Sequence, residues 1–394
     1  MLDCYSKARK GGIQVIYFDN SATTKPYKEV LDSYIKVATD YFGNPSSLHR
    51  VGGQADKLLS QAREQTAKLL QVKPSEIYFT SGGTESNNLA IKGTALMYRN
   101  RGNHIITTSV EHPSVSESME QLRDLGFNIT YIPVDEFGRV NVKAIEQAIC
   151  KETILVSVIH VNNEVGTIQP IEEIGELLKL YPKILFHVDH VQGIGKVPLS
   201  LHHSHIDLCS ISGHKFHGLK GTGILYLRDG VKISPLLSGG KQEKNIRSGT
   251  ENVAGTVAMA KALRLVLEKK NSDLDQLIGL KTILYDELQL IEGLTIHTPK
   301  VGSAPHILNL SIQGFKAEVF VHALEERGIF VSTTSACSSK KKSTSSTLLA
   351  MGVSEELANS AIRLSLSYEN TKEEVRTVVQ AFKEVISNLR KVMN

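Results

Sequence analysis

Thr153-Ile-Leu-Val-Ser-Val-Ile159 is the stretch that most limits what this chain can fold into. An almost unbroken apolar, β-favouring run of this length suits a strand covered on both faces. Such strands belong to parallel sheets whose crossover helices lie on either side. Further strand patterns stand at 76–80, 104–108, 128–134, 184–189, 206–211 and 223–227. Helical spacing falls between them over 29–39, 54–70, about 89–98, the segment ending at Leu125, and 172–180. The alternation predicts a doubly wound α/β unit with a mixed, mostly parallel sheet flanked by helices. With 394 residues the chain exceeds what one core usually holds, so a second unit is expected. After a helix ending near Lys270 and another over 273–291, the pattern turns to α+β. Strands are predicted at 294–297, 307–312, 329–332 and around Ile362, with helices over 317–328 and from Lys372 to about Val392. The expected division is 16–268 for the large unit and 269–394 for the small one. Residues 1–15 form an N-terminal extension, and the segment around 16–30 packs with the small unit.

The polar clusters stand just beyond strand ends, where open α/β sheets bind their ligands. After 206–211 comes Ser212-Gly-His-Lys215 in a glycine-rich loop, which displays an amine able to form a Schiff base. His187-Val-Asp189 ends the preceding strand, and a carboxylate behind a cofactor lysine is the partner that a pyridinium nitrogen needs in pyridoxal phosphate enzymes. Ser81-Gly-Gly-Thr84 between a strand and a helix offers backbone N–H groups to a phosphate. The P-loop lysine is absent, and a plain N-cap by Ser81 or Thr84 is the competing reading. The net charge of +4 is too small to point to nucleic acid. Four scattered cysteines, Cys4, Cys150, Cys209 and Cys337, have neither metal-ligand nor disulfide-framework spacing, which fits a reducing cytoplasm. No run reaches membrane-spanning length, and 1–14 has no apolar core for a signal peptide. His202, His203 and His205 lack a second ligand set and are expected to be solvated loop residues, with no metal site. Cys150 and Cys209 are expected to be small buried hydrophobes.

Taken in order, Asp19-Asn-Ser-Ala-Thr-Thr, Gly43-Asn-Pro-Ser-Ser-Leu-His, Phe79-Thr-Ser-Gly-Gly-Thr-Glu-Ser-Asn-Asn, Glu111-His112, His160-Val-Asn-Asn-Glu-Val-Gly, His187-Val-Asp with Gln192, Ser212-Gly-His-Lys, Arg247-Ser-Gly-Thr, Ser335-Ala-Cys337 and Ile362-Arg363-Leu-Ser resemble the cysteine desulfurases of the class V aminotransferases. The resemblance runs from about Ile16 to the C-terminus. It implies a fold type I pyridoxal phosphate transferase that takes sulfur from L-cysteine, leaves a persulfide on Cys337 and releases L-alanine. Lys215 would hold the cofactor and shuttle a proton. Asp189 would pair with the ring nitrogen and Gln192 with the phenolic oxygen, and His112 would stack on the ring face and serve in acid–base steps. Gly83, Thr84, Ser212 and His214 would hold the phosphate, joined by Thr250 from a second copy in a homodimer. Asn163 and Arg363 would bind the substrate carboxylate. The long segment after Cys337, expected to be a mobile loop, resembles the branch that passes sulfur to iron–sulfur scaffolds or tRNA-thiolating enzymes.

Three features depart from the family pattern. His190 stands where a small residue is usual, either crowding the site or adding a titrating group beside the cofactor. Lys340-Lys-Lys342 follows the nucleophile and would lower its pKa or steer an acidic acceptor or a tRNA-bound partner. Ser21 replaces an alanine. The competing readings are a selenocysteine lyase or another class V lyase or transaminase, and a non-enzymatic sulfur-relay scaffold.

Overall fold

In the computed structural model, which describes residues 15–333 and 344–393, β1 (Ile16–Tyr17) leads into α1 (Lys28–Asp40) and α2 (Arg50–Leu70). The strands β2 (Ile77–Thr80), β3 (His104–Thr108), β4 (Asn128–Ile132), β5 (Thr153–Ile159), β6 (Leu185–Asp189), β7 (Leu208–Ser212) and β8 (Gly223–Leu227) form a seven-stranded sheet in the order β2-β8-β7-β6-β5-β3-β4. Pairing is parallel from β7 across to β4, and β8 runs antiparallel to both β7 and β2. Every residue of β5, β6 and β7 is buried, as their apolar runs require, whereas edge strand β4 is buried only at Ile132. Helices α3 (Gly83–Tyr98), α4 (Pro113–Asp124), α5 (Val142–Ala148) and α6 (Ile171–Leu178) are the crossovers. The carboxyl ends of β2, β3, β5, β6 and β7 therefore share one edge, and the loops bearing Thr84, His112, Asn163, Gln192 and Lys215 meet there.

Residue 253 begins α7 (Val253–Leu288), a single helix of 36 residues where the pattern predicts two. Lys270-Asn-Ser272 contains no Gly or Pro to stop it, and the Ser272 hydroxyl bonds back to the Glu268 and Lys269 carbonyls at 3.3 Å. The expected boundary at 268/269 thus falls inside a continuous helix. Beyond it, β9 (Leu294–Ile296), β10 (Ile307–Ile312), β12 (Ser332–Thr333) and β13 (Ala361–Ser365) form an antiparallel sheet in the order β12-β13-β10-β9. The strand expected at 329–332 divides at Val331. Its first half, β11 (Ile329–Phe330), pairs in parallel with β1, and its second half joins β13. Asp19 also bridges to Ser365, so the start of the chain is knitted to the C-terminal sheet. Helices α8 (Ala317–Glu325), α9 (Ser346–Ala350), α10 (Glu355–Asn359) and α11 (Lys372–Met393) complete this part. Among the described residues no helix is long and apolar enough to cross a membrane.

Two helices start earlier than their patterns suggest. The His49 side chain caps α2 by accepting from Gly52 N–H at 3.2 Å, and Gly52 is needed because a Cβ there would lie 2.4 Å from the Ser47 carbonyl. The first turns of α3 are the polar residues Gly83 to Asn88, which read as loop because polarity there serves the site.

Candidate active site

The N-terminus of α3 is built to receive an anion. Its N-cap is Gly82 rather than Ser81 or Thr84, and no side chain caps it, so the first N–H groups stay available. The Ser81 hydroxyl is turned away to Glu85, which also accepts from Arg247 Nε at 2.8 Å. Gly82 has φ of 153°, a backbone geometry that favours glycine. A Cβ on Gly83 would come within 2.8 Å of Val191 Cγ2. The cradle is therefore wide enough because Gly83 lacks a side chain, and takes its path because Gly82 can adopt its φ.

That cradle is one end of a cavity of about 260 Å³, lined by Gly83, Thr84, Ser212, His214 and Lys215 on one side and by Asn87, His112, Asn163, Asp189 and Gln192 on the other. Lys215 sits in a single turn after β7, and its Nζ donates to the carbonyls of Ser21 (2.6 Å) and Ala22 (2.9 Å). Gln192 Nε2 donates to the same Ser21 carbonyl at 3.0 Å, so the segment after β1 forms one wall. His214 Nδ1 lies 3.1 Å from Thr23 Oγ1. Burial, with the Lys215 and Lys220 charges, holds the His214 imidazole down at about 4.

At the far end Asp189 is buried, and its Oδ1 accepts from Val191 N–H at 3.0 Å. Its Oδ2 accepts from Asn87 Nδ2 at 2.7 Å. The same Nδ2 reaches Ser114 Oγ at 2.8 Å, and Ser114 Oγ lies 2.8 Å from His112 Nδ1. Ser114 N–H also donates to His112 Nδ1, at 3.1 Å. A backbone N–H can only donate, so Nδ1 is an acceptor and the neutral ring carries its proton on Nε2. The Ser114 hydroxyl then accepts from Asn87 and donates to His112. Burial lowers the His112 pKa further, with Asp189 opposing and Lys215 reinforcing the shift, so the neutral ring is favoured. Asn87 is a residue the sequence reading did not single out. Its place in the second turn of a helix, one turn beyond the glycine pair, was the available signal.

Below this network Glu111 accepts from Thr108 Oγ1 (2.7 Å) and Ile159 N–H (2.9 Å), while its Oε2 is buried without a partner. Burial pushes this carboxyl up to about 8. It ties the end of β3 to the end of β5 as a neutral acid. His190 does not line the cavity and turns its ring to His160 instead. Its Nδ1 lies 2.7 Å from His160 Nδ1 in a buried pair, and a Cβ on Gly193 would come within 2.6 Å of both rings. Desolvation holds both rings well below their ordinary pKa, leaving a neutral pair with one nitrogen donating to the other.

Arg363, buried on β13, does not line the cavity but touches its wall. Nη1 donates to the Asn163 carbonyl at 2.8 Å and Nη2 to Asp19 Oδ1 at 3.1 Å, while Nε is buried without a partner. Thr250 is exposed and away from this cavity. Cys337, Lys340, Lys341, Lys342 and residues 1–14 lie outside the described residues. Cys209 is buried as expected, but Cys150 is exposed, because it sits in the turn between α5 and β5 with its Sγ 3.4 Å from His104 Nδ1. His202 and His205 lie 3.7 and 3.2 Å from Glu76 and Glu176. Among the described residues no group of three potential ligands is placed to hold a metal ion.

The donor set fits pyridoxal phosphate. An uncapped helix N-terminus with Ser212 and His214 suits a dianion, the amine of Lys215 suits an aldehyde, and the buried, oriented Asp189 suits a pyridine nitrogen. Comparison with known proteins agrees. The family model "Aminotransferase class-V" matches residues 16–378. A NifS/IcsS protein homolog of Lactobacillus delbrueckii subsp. bulgaricus is 50% identical over 380 residues, 96% of this chain and 99% of that protein. The cysteine desulfurase IscS of Dictyoglomus turgidum is 42% identical over 378 residues, 96% of either chain. A solved NifS-like protein superposes with a TM-score of 0.89 at 41% identity, covering 95% of this chain and all of that one.

Proposed function

The chain belongs to the aminotransferase class-V family, and from that premise we propose that it is a cysteine desulfurase. It is a pyridoxal-phosphate-dependent enzyme that takes L-cysteine as substrate. The observation that carries the reading is the meeting of Lys215, Asp189 and the uncapped α3 N-terminus in one cavity. The bound cofactor supplies the electron sink that labilises bonds at the substrate's carbons. Gly83, Thr84, Ser212 and His214 would hold its phosphate, Asp189 its ring nitrogen, Gln192 its phenolic oxygen and His112 its face. Lys215 would anchor it covalently and would move the proton at the substrate α-carbon. Asn163 and Arg363 grip the substrate carboxylate, for which a planar guanidinium is suited.

The Cys337 thiolate attacks the substrate sulfur. The carbon–sulfur bond breaks as a sulfur–sulfur bond forms, the carbon fragment takes up a proton and leaves as L-alanine, and Cys337 keeps the persulfide. What supports this role is where the flanking chain is anchored. Ser332 pairs with Arg363 in the β12–β13 register, and the Ser345 hydroxyl bonds to Glu164 beside Asn163. Both anchors adjoin the carboxylate-binding pair.

The persulfide is passed to an acceptor protein, either an iron–sulfur scaffold or a tRNA-thiolating enzyme. We place the enzyme in the cytoplasm as a homodimer in which Thr250 completes the second copy's phosphate site. Residues 16–268 and 269–394 are its two units, joined through α7. The test is alanine released from L-cysteine by the holoenzyme and by its Cys337→Ala variant. Wild-type release that largely disappears in the variant is expected. Equal release from both would point to a lyase that ejects the chalcogen directly.

A further inference from the structure

A second cavity, of about 300 Å³, shares no lining residue with the first. It lies between the exposed side of α7 and the segments around 168, 196–198 and 300–305. Its walls are mostly apolar, from Ile168, Val197, Pro198, Leu274 and Ile278, and Lys196, Lys281 and Lys300 complete them, the Lys196 stem contributing while its amine turns to the Lys215 carbonyl. Asp286 is the only carboxylate in the lining, and Lys300 already holds it at 3.0 Å on the rim.

The other two lysines are buried, at 3% and 8% exposure, and they donate to neutral oxygens. Lys281 Nζ donates to Ser303 Oγ and to the Ala304 carbonyl, both at 2.7 Å, and Lys196 Nζ donates to the Lys215 carbonyl at 2.9 Å. Among the described residues neither is in an ion pair. An ammonium taken out of water without a counter-charge is costly, and burial lowers both lysines to about 7. An ammonium has three donors, so Lys281 has one left after Ser303 and Ala304. The volume is at the small end of the range for ligand sites, about 300–1,000 Å³. Apolar walls, a buried amine without a carboxylate partner and modest size together define an amphiphile with a single negative head, whose charge would draw the proton onto Lys281.

We propose that this cavity binds an apolar monocarboxylate, with the carboxylate on Lys281 and the hydrocarbon body against Val197, Leu274 and Ile278. The class is medium-chain acids. A bulky polyanion would lack partners along the apolar wall, and an uncharged hydrocarbon would leave the lysines as they are.

The experiment is titration calorimetry on the holoenzyme with octanoate as the probe, with octanol and inorganic phosphate as controls. Octanoate is expected to bind once per chain, with octanol and phosphate each at least ten-fold weaker. Lys281→Met and Ile278→Glu are each expected to weaken octanoate at least ten-fold. Ile278 is 46% exposed, so the second variant tests the site even if the first does not fold. Arg363→Met should leave the affinity unchanged. Octanoate affinity that survives both cavity substitutions, equal binding of octanol, loss of binding in Arg363→Met alone, or no binding at millimolar octanoate would each overturn the proposal.

Discussion

At the residue scale the site turns on one amide. Asn87 gives its nitrogen to both Asp189 and Ser114, and Ser114 sets the His112 tautomer, so one side chain orients the groups proposed for the ring nitrogen and the ring face. Asn87→Ala is expected to lower kcat about 10- to 100-fold, the scale of a small misplacement at a reacting centre, with KM for L-cysteine little changed. The cofactor's visible absorption should also acquire an altered pH dependence. An unchanged pH profile would assign Asn87 a merely structural role. Glu111 makes a second prediction. Its carboxyl titrates at about 8 when folded, above its ordinary 4.5, so between those values the folded chain keeps a proton that the unfolded chain has lost. Stability must then fall as pH rises through that window, by at most about 1.4 kcal/mol per pH unit. Glu111→Gln keeps both accepted hydrogen bonds and removes the titration. Its advantage over wild type in urea unfolding should grow from pH 4.5 to 8 and level off above. A difference that does not vary with pH would refute the neutral-acid reading. Lys215, Asp189 and His112 were legible as candidates because each ends or follows a strand pattern in a polar cluster. Asn87 was not, because a polar residue at a helix start reads as loop until the helix is seen to begin at Gly83. The His160–His190 pairing was equally hidden, since nothing in one dimension tells which side of a loop a ring will take.

Elements carry a different kind of information. The run 153–159 declared a doubly covered strand, and all seven of its residues are buried, because continuous apolarity has no other stable use in a soluble sheet. The carboxyl-end loops followed from the same logic. The helix starts of α2 and α3 and the continuity of α7 did not, because capping by His49, an uncapped glycine turn and a polar mid-helix triplet blur the local signal. If α7 is one helix through 270–272, Ser272→Pro removes an interior hydrogen bond and clashes with the preceding turn, at a cost of about 3 kcal/mol or more in the unfolding free energy. A loss below about 1 kcal/mol would mean that the helix is interrupted there, as the sequence pattern implies.

At the scale of the whole molecule, the main sheet gathers the proposed cofactor groups while the C-terminal sheet brings Arg363 to the cavity wall and holds Ser332 beside it. The β1–β11 pairing and the Asp19 contacts to Ser365 and Arg363 lock the two parts together around the site. This long-range pairing was only partly legible: the sequence suggested that 16–30 would meet the later chain but not through which strand. The central claim is that such a molecule moves sulfur onto Cys337. Its most direct test is mass spectrometry of the holoenzyme after L-cysteine, without reductant and with thiols alkylated. One additional sulfur atom on the Cys337 peptide, absent when Lys215 is replaced by alanine, is the predicted result. Alanine formation with Cys337 unmodified, or extra sulfur confined to Cys150 or Cys209, would contradict the account.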